Sequence, residues 1–347
     1  MFFVRPIAQD DLPAVLALSE GTGHGLTTLP ADRDRLASRI ERSLASFARA
    51  AARADECYVF VLVESSSGRV VGISAIEAAV GLAEPWYNFR VGTIVHASRA
   101  LSVYTVAPTL FLGNDHTGHT ELCSLFLDQG FRHAKNGPLL AKSRLLFIAE
   151  FADRFAPKVI AELRGRLDAD GKSPFWEGLG RHFFAMEYTT ADYLTGIGQK
   201  SFVAELMPRH PVYVKLLPPS AREAIGEVHA DTRAARAMLE QEGFRYEGYV
   251  DIFDGGPTVE CFRDDIHAVR ASRVLPVQLG EGEPVPDNLS TDIAWLVSNR
   301  RFEAFRVALA KAPARLDRFP LLPFVASGLG VGDGDLVRAV PLAPRDR

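Results

Sequence analysis

Four residues in a short run, Arg132, Lys135, Asn136 and Gly137, have the types and spacing to hold an anion. They fall between ELCSLFLD, which reads as a strand, and PLLAKSRLLFIAEF, which reads as a helix. A tight turn entering a helix gathers several backbone N–H groups that have no partner of their own. The positive end of the helix dipole adds to them, so the turn is a seat for a phosphate or pyrophosphate with a basic rim. The competing reading is an ordinary strand-to-helix turn whose basic side chains are simply solvated.

Just upstream, NDHTGHTEL puts His116 and His119 at H-x-x-H spacing between Asp115 and Glu121. Two histidines so spaced make half a metal site, yet no nearby cysteine or second histidine pair completes it, and no metal is expected. The segment reads instead as a substrate loop, with Asp115, His116 and Glu121 available to a cationic ligand. A guanidinium wants a planar carboxylate for paired hydrogen bonds, and Asp251, Asp254 and Glu260 are further acids in suitable contexts. DGGPT (254–258) reads equally as a tight turn closing a hairpin. His96, His133, His182, His210 and His267 read as structural or surface residues, and Trp86, Tyr87 and Phe89 as core.

The elements that must position these groups alternate in type. FFVRPI is a short strand, DLPAVLALSE a helix capped by Asp10 or Asp11, and 31–52 a second helix beyond a glycine-rich loop. YVFVLVES and RVVGISAIEAAV are apolar strands joined by SSSG as a hairpin. KVIAELRGRLD is a strand, PFWEGLGRHFF a helix with proline in its first turn, the segment around Gln199–Pro208 helical, and VYVKLLP extended. In VHADTRAARAMLEQEGFRYEGYVDIF, Asp231 or Thr232 starts a helix, Gly243 ends it, and a strand follows. The order is α/β on a mixed sheet. Residues 1–273 form the main domain, with a core at about 57–155 and a closing part at about 156–273. LGEGEPVPDN (279–288) is the linker, and 289–347 is a small β-rich domain holding IAWLV, FRVALA and VRAVPL.

Composition narrows the class of protein. The chain has 347 residues, 47% hydrophobic and 24% charged, with a net charge of −4, which gives no broad basic field for nucleic acid. Three cysteines, none in a C-x-x-C pair, fit reduced thiols in a cytoplasm. The first dozen residues carry an arginine and two aspartates and do not read as a signal peptide. No apolar run approaches the ~18 residues of a membrane span.

The run R-x-x-K-N-G at 132–137 resembles the pyrophosphate loop of the Gcn5-related acyltransferases, Q/R-x-x-G-x-G/A, with Lys135 where the first glycine is expected. Longer strings carry a more specific likeness: TGHGLTTLPAD (22–32), AEPWYNFRVGTIVHAS (83–98), FLGNDHTGHTELCSLFLD (111–128), the stretch 173–213, and GFRYEGYVDIFDGGPTVEC (243–261). They resemble the bacterial arginine N-succinyltransferase family, over roughly 1–275 and more loosely over the β tail. The resemblance implies a mixed-sheet acyltransferase fold. It also implies transfer of succinyl from succinyl-CoA, a cosubstrate rather than a prosthetic group, to the α-amine of L-arginine in arginine catabolism. By the same resemblance, Leu125 matches a position whose main chain binds succinyl-CoA, and His229 matches the proton-donating catalytic histidine. His24 departs from the family, where a glycine is usual.

That chemistry needs a neutral amine, a stabilised oxyanion and a protonated leaving thiolate. His229 lies just ahead of a helix, where the dipole lowers an imidazole pKa; the alternative is a solvated loop histidine. Backbone N–H groups from Leu122 to Leu127, with Leu125 and Leu127 against the cosubstrate, suit the thioester oxygen. Two other functions stay open: the same chemistry on ornithine, as one half of a two-paralogue enzyme, or a non-catalytic sensor of arginine or CoA. The expected assembly is a homodimer or a heterodimer with a paralogous subunit.

Overall fold

The computed structural model describes residues 1–21, 29–196, 201–280 and 292–343. His24, residues 281–288 of the linker, and Gln199 and Lys200 of the expected helix lie outside the described residues.

Two strands set the centre, β2 (Cys57–Glu64) and β3 (Val70–Glu77), preceded by β1 (Phe2–Pro6). Their sequences are apolar almost throughout because both faces are covered. Side chains alternate across the sheet, so Tyr58, Phe60 and Leu62 join one core with Leu146 and Phe147 of helix α3 (Asn136–Glu150). Cys57, Val59 and Val61 join the other, against α1 (Leu12–Glu20) and α2 (Arg33–Phe47). Asp32 starts α2 by accepting the Arg35 N–H at 2.9 Å.

Beyond β3 come β4 (Asn88–Ser98), β5 (Val103–Gly113), β6 (Thr120–Leu127), β7 (Lys158–Glu162), β8 (Val212–Tyr213), β9 (Arg245–Val250) and β10 (Pro257–Phe262). The C-terminal strands are β11 (Arg273–Leu279), β12 (Ile293–Ser298), β13 (Val307–Ala312), β14 (Phe319–Leu321) and β15 (Leu336–Pro341). Among the described residues all fifteen lie in one sheet, in the order β14-β11-β15-β12-β13-β1-β2-β3-β6-β7-β10-β9-β4-β5-β8. The C-terminal strands therefore extend the main sheet, through Phe3↔Ala308 and Val4↔Val307. β11 already pairs with β14 and β15 ahead of the linker.

The expected helix after KVIAE runs from Pro174 to Phe184 and contains a π turn at Trp176–Gly180. A Cβ on Gly180 would stand 2.2 Å from the Trp176 ring, so the indole needs glycine there. VYVKLLP is extended only at Val212–Tyr213 and then coils into a short 3-10 turn. No helix among the described residues is long and apolar enough to cross a membrane.

Candidate active site

The parallel strands β6 and β7 pair at only two positions, Thr120↔Val159 and Glu121↔Ile160. Past these, β6 stays with β3 and β7 with β10, so the sheet parts. A cleft of about 1440 Å³ opens at the parting, walled by Leu122–Leu127 on one side and Ala161–Arg164 on the other.

On the β6 wall, Ser124 and Leu125 together oppose the single residue Ser74, which makes a β-bulge, and Ser124 takes φ 51°. Arg144, buried under the sheet, donates from Nη1 to the carbonyls of Cys123 (3.1 Å) and Ala75 (3.4 Å) on either side of the bulge. The bulge lifts main chain at Ser124–Leu125 out of the regular ladder, beside the cleft. This is where the sequence placed Leu125 and an oxyanion contact.

The anion loop closes one end of the same cleft, and Arg132, Lys135, Asn136 and Gly137 all line it. Ala134 and Lys135 are both left-handed, at φ 51° and 64°. Lys135 thus occupies the backbone conformation that favours the missing glycine, at a cost of about 1 kcal/mol. The loop holds its shape through Asn136 Nδ2, which donates to Phe131 O at 3.1 Å, and Arg132 Nε, which donates to Leu127 O at 3.1 Å. The N–H groups of Asn136 and Leu139 are used locally, whereas those of Ala134, Lys135 and Gly137 have no acceptor among the described residues. These N–H groups lie at the start of α3, where the helix dipole is positive.

The cleft carries both signs of charge. Arg35, Arg39 and Arg42 of α2 join the loop's Arg132 and Lys135 as cations, and Glu121, Glu162, Asp192, Asp251 and Asp254 are among its carboxylates. Burial first, then Asp251 and Glu121, pushes the Glu162 carboxyl well above the ordinary range, against the bond it accepts from Asn88 Nδ2 at 2.7 Å. Burial and then Asp251 push Asp254 the same way. Asp254 is also the lock of a turn: Oδ2 accepts from Gly165 N (2.6 Å) and Oδ1 from Gly256 N (2.8 Å). A Cβ on Gly256 would stand 2.2 Å from Leu163 O, so only glycine lets this turn lie against the β7 wall. DGGPT thus closes the β9–β10 hairpin and lines the cleft at once.

His229 is placed differently. It lines a smaller depression of about 570 Å³ with Arg166, Glu223, Glu227 and Arg233. Its backbone N–H donates to Arg164 O at 2.8 Å, and its Nδ1 accepts the Asp231 N–H at 3.2 Å; Arg164 and Asp231 both line the large cleft. An accepting Nδ1 leaves the ring hydrogen on Nε2. Burial, then the nearby Arg164 cation, lowers the imidazole pKa and keeps the ring neutral.

Asp115 and His116 are not brought to the cleft. His116 is fully buried, its ring centroid 4.4 Å from that of Tyr249 and its Nδ1 3.2 Å from His119 Nδ1. Burial drives its pKa down to about 4. Asp115 accepts from Tyr249 Oη at 2.8 Å, so the loop is a packing unit against β9, and only Glu121 of the expected trio lines the cleft. Among the described residues, no group of three or more His, Cys, Asp or Glu side chains is arranged to hold a metal. Sequence reading missed Glu162, Asp192, Tyr188 and the α2 arginines. Only the arginines left a signal, spaced i, i+4, i+7 along one helix face.

A sheet that parts beside a bulged strand, with a basic turn at the entrance of the following helix, defines a Gcn5-related N-acyltransferase fold. Comparison with known proteins carries the assignment further. Residues 2–268 match the family described as arginine N-succinyltransferase beta subunit, and 273–341 match its C-terminal domain. The chain is 52% identical over 347 residues to the arginine N-succinyltransferase of Enterobacter sp. (strain 638), covering 100% of this chain and 99% of that protein. It is 50% identical, with the same coverage, to that of Citrobacter koseri. The solved structure of arginine/ornithine succinyltransferase subunit AI from Pseudomonas aeruginosa superposes with a TM-score of 0.89 at 38% identity, over 99% of both chains. This chain belongs to the arginine N-succinyltransferase family.

Proposed function

We propose that this chain transfers the succinyl group of succinyl-CoA to the α-amine of L-arginine, yielding N2-succinyl-L-arginine and free CoA. The observation that carries the reading is one cleft, at the parting of β6 and β7, lined by both cations and carboxylates. The donor is anionic and the acceptor carries two cationic groups, and the cleft offers each its complement.

The free N–H groups of Ala134, Lys135 and Gly137 hold the CoA diphosphate, with the Arg132 and Lys135 side chains at the rim. The bulged main chain at Leu125, followed by Leu127, lies along the pantetheine and thioester, and its N–H groups stabilise the oxyanion. Glu121, Asp192 and Asp251 receive the acceptor's cationic groups; Asp254 fixes the turn that presents them. Glu162 takes the proton that the α-ammonium must lose, since a carboxylate held above its ordinary pKa is a stronger base than a solvated one. As the tetrahedral intermediate collapses, its nitrogen gives up a proton that passes to the departing thiolate, and His229, bonded through its backbone to Arg164 of the cleft wall, assists that transfer by hydrogen bonding from Nε2–H.

A dimer, of this chain or with a paralogue, is the assembly that goes with this reading. Among the described residues, beyond Phe89–Arg90 and Thr109–Leu110 the β4–β5 ribbon has no strand neighbour, and Val95, Leu101, Val103, Tyr104 and Val106 are exposed along it. An isolated two-stranded ribbon is marginal in water, which supports a covering subunit.

Fragmentation of the product by mass spectrometry tests the reaction. Succinyl on the α-nitrogen of arginine is expected; acylation of the guanidino group, or a product formed only from ornithine, contradicts it.

A further inference from the structure

Arg144 of α3 lines the cleft although only 3% of it is exposed. Its guanidinium donates three hydrogen bonds, all to main-chain carbonyls. Nε donates to Ala141 O at 3.0 Å, one turn back along α3, and this fixes the direction of the group. Nη1 donates to Cys123 O on β6 at 3.1 Å and to Ala75 O on β3 at 3.4 Å. Cys123 and Ala75 are partners across the two strands, and the bulge begins at the next residue of β6, Ser124. A single nitrogen thus holds both strands where their register slips. Among the described residues no carboxylate pairs with Arg144 at salt-bridge distance. Burial lowers its pKa to about 10, against the opposing pull of Cys123 and Glu121, and this leaves the group a cation at neutral pH.

The Cys123 carbonyl and the Ser124 N–H belong to one peptide group. A charge-assisted bond to that carbonyl draws electron density toward its oxygen and makes the N–H of the same peptide a stronger donor. The bond also fixes the plane of the peptide. Ser124 needs such a hold, because at φ 51° it keeps a left-handed conformation rare for a residue other than glycine. A neutral side chain would fill the space without either effect, whereas a cation buried without a counter-charge is costly. We infer that Arg144 is a positioning residue for acyl transfer, which holds and polarises the bulge so that the main chain at Ser124–Leu125 meets the thioester oxygen as it becomes an oxyanion. The inference rests on the proposed succinyl transfer, which lays the thioester along this strand.

Arg144→Met keeps most of the side chain's bulk and removes both the bonds and the charge. Its kcat should fall about a hundredfold, the cost of one lost oxyanion donor, while its dissociation constant for CoA stays within about twofold of the native chain's. Arg144→Lys keeps the charge but not the fork of N–H groups, and kcat should fall about tenfold. A purely structural role would lower thermal stability and leave the bound thioester unchanged, so the deciding readout is spectroscopic. With succinyl-CoA isotopically labelled at the thioester carbonyl and no amine present, difference infrared spectra should show the C=O stretch lowered on binding to the native chain. That lowering should shrink in Arg144→Lys and vanish in Arg144→Met. If Arg144→Met does not fold, Arg144→Lys is read by the same two measurements. Native kcat in a folded variant overturns the inference, and so does a slow variant whose bound carbonyl stretch keeps its native position. A native chain that forms no succinyl-arginine overturns the proposed transfer, and this inference with it.

Discussion

Asn88 Nδ2 donates to Glu162 Oε1 across 2.7 Å, and this bond ties the root of the β4–β5 ribbon to the wall of the cleft. The same amide reaches Thr258 Oγ1 at 3.4 Å on β10, so the carboxylate is held from the side away from β6. Its other oxygen accepts no hydrogen bond among the described residues, and in the proposed function it is the one that meets the acceptor amine.

Glu162→Gln should therefore cut turnover by about a hundredfold, within the range for loss of a positioned base. In the native enzyme kcat/KM should fall as the pH drops through the raised Glu162 pKa, because only the carboxylate accepts a proton. Steady-state rates across pH check both, and the variant should lack that acid limb.

The same group costs stability. A carboxyl whose folded pKa lies above its unfolded value stabilises the fold in acid, and that contribution is lost as the pH rises through the folded pKa. Glu162 and Asp254 both shift this way. Melting temperature should thus decline on going from the ordinary carboxylate range toward neutral pH, and Glu162→Gln should melt higher than the native chain at pH 7. Asp254→Asn should melt lower, by about 1–3 kcal/mol of stability, since it loses an acceptor for Gly165 or Gly256.

Much of this was legible beforehand. The basic turn, the strand before it and the helix after His229 follow from local signals: a turn with basic residues at a helix entrance, an apolar run of the right length, and a capped amphipathic helix; Leu125 and the role of His229 came from the family resemblance. NDHTGHTEL misled because periodicity says nothing about which side of a sheet a connecting loop packs on. There the aromatic face of Tyr249 drew His116 inward. Glu162 was invisible because an acid at the end of a strand looks like any solvated acid until the neighbouring strand diverges from it. The join of the β tail to β1 was out of reach because that pairing spans the whole chain, whereas the strands of the tail itself are local.

Lys135→Gly should change stability by less than about 1 kcal/mol, as relief of the left-handed residue is offset by a looser unfolded chain. CoA affinity should fall about fivefold at low salt and less at high salt, because one exposed charge beside the diphosphate is lost. Titration calorimetry at two ionic strengths separates these effects.

Lys142 joins the tail to the main sheet. Its Nζ lies 2.7 Å from Glu242 Oε1 and donates to Leu342 O at 2.8 Å, with both charges buried. Lys142→Met should cost about 3–5 kcal/mol by stranding Glu242, and adding Glu242→Leu should recover most of it. Denaturant unfolding of the two variants decides this.

His229→Ala should lower turnover a hundredfold or more with CoA affinity retained, since the imidazole lies outside the walls that hold the cosubstrate. Near-native turnover would remove His229 from the proton path.

The central claim is amine-dependent succinyl transfer at this cleft, and free thiol release from succinyl-CoA measures it most directly. The purified chain should release thiol with arginine present, more slowly with ornithine, and scarcely at all with lysine or no amine. A folded chain that binds CoA yet releases no thiol with any of these amines would contradict the account and favour a ligand sensor or an enzyme completed by a paralogous subunit.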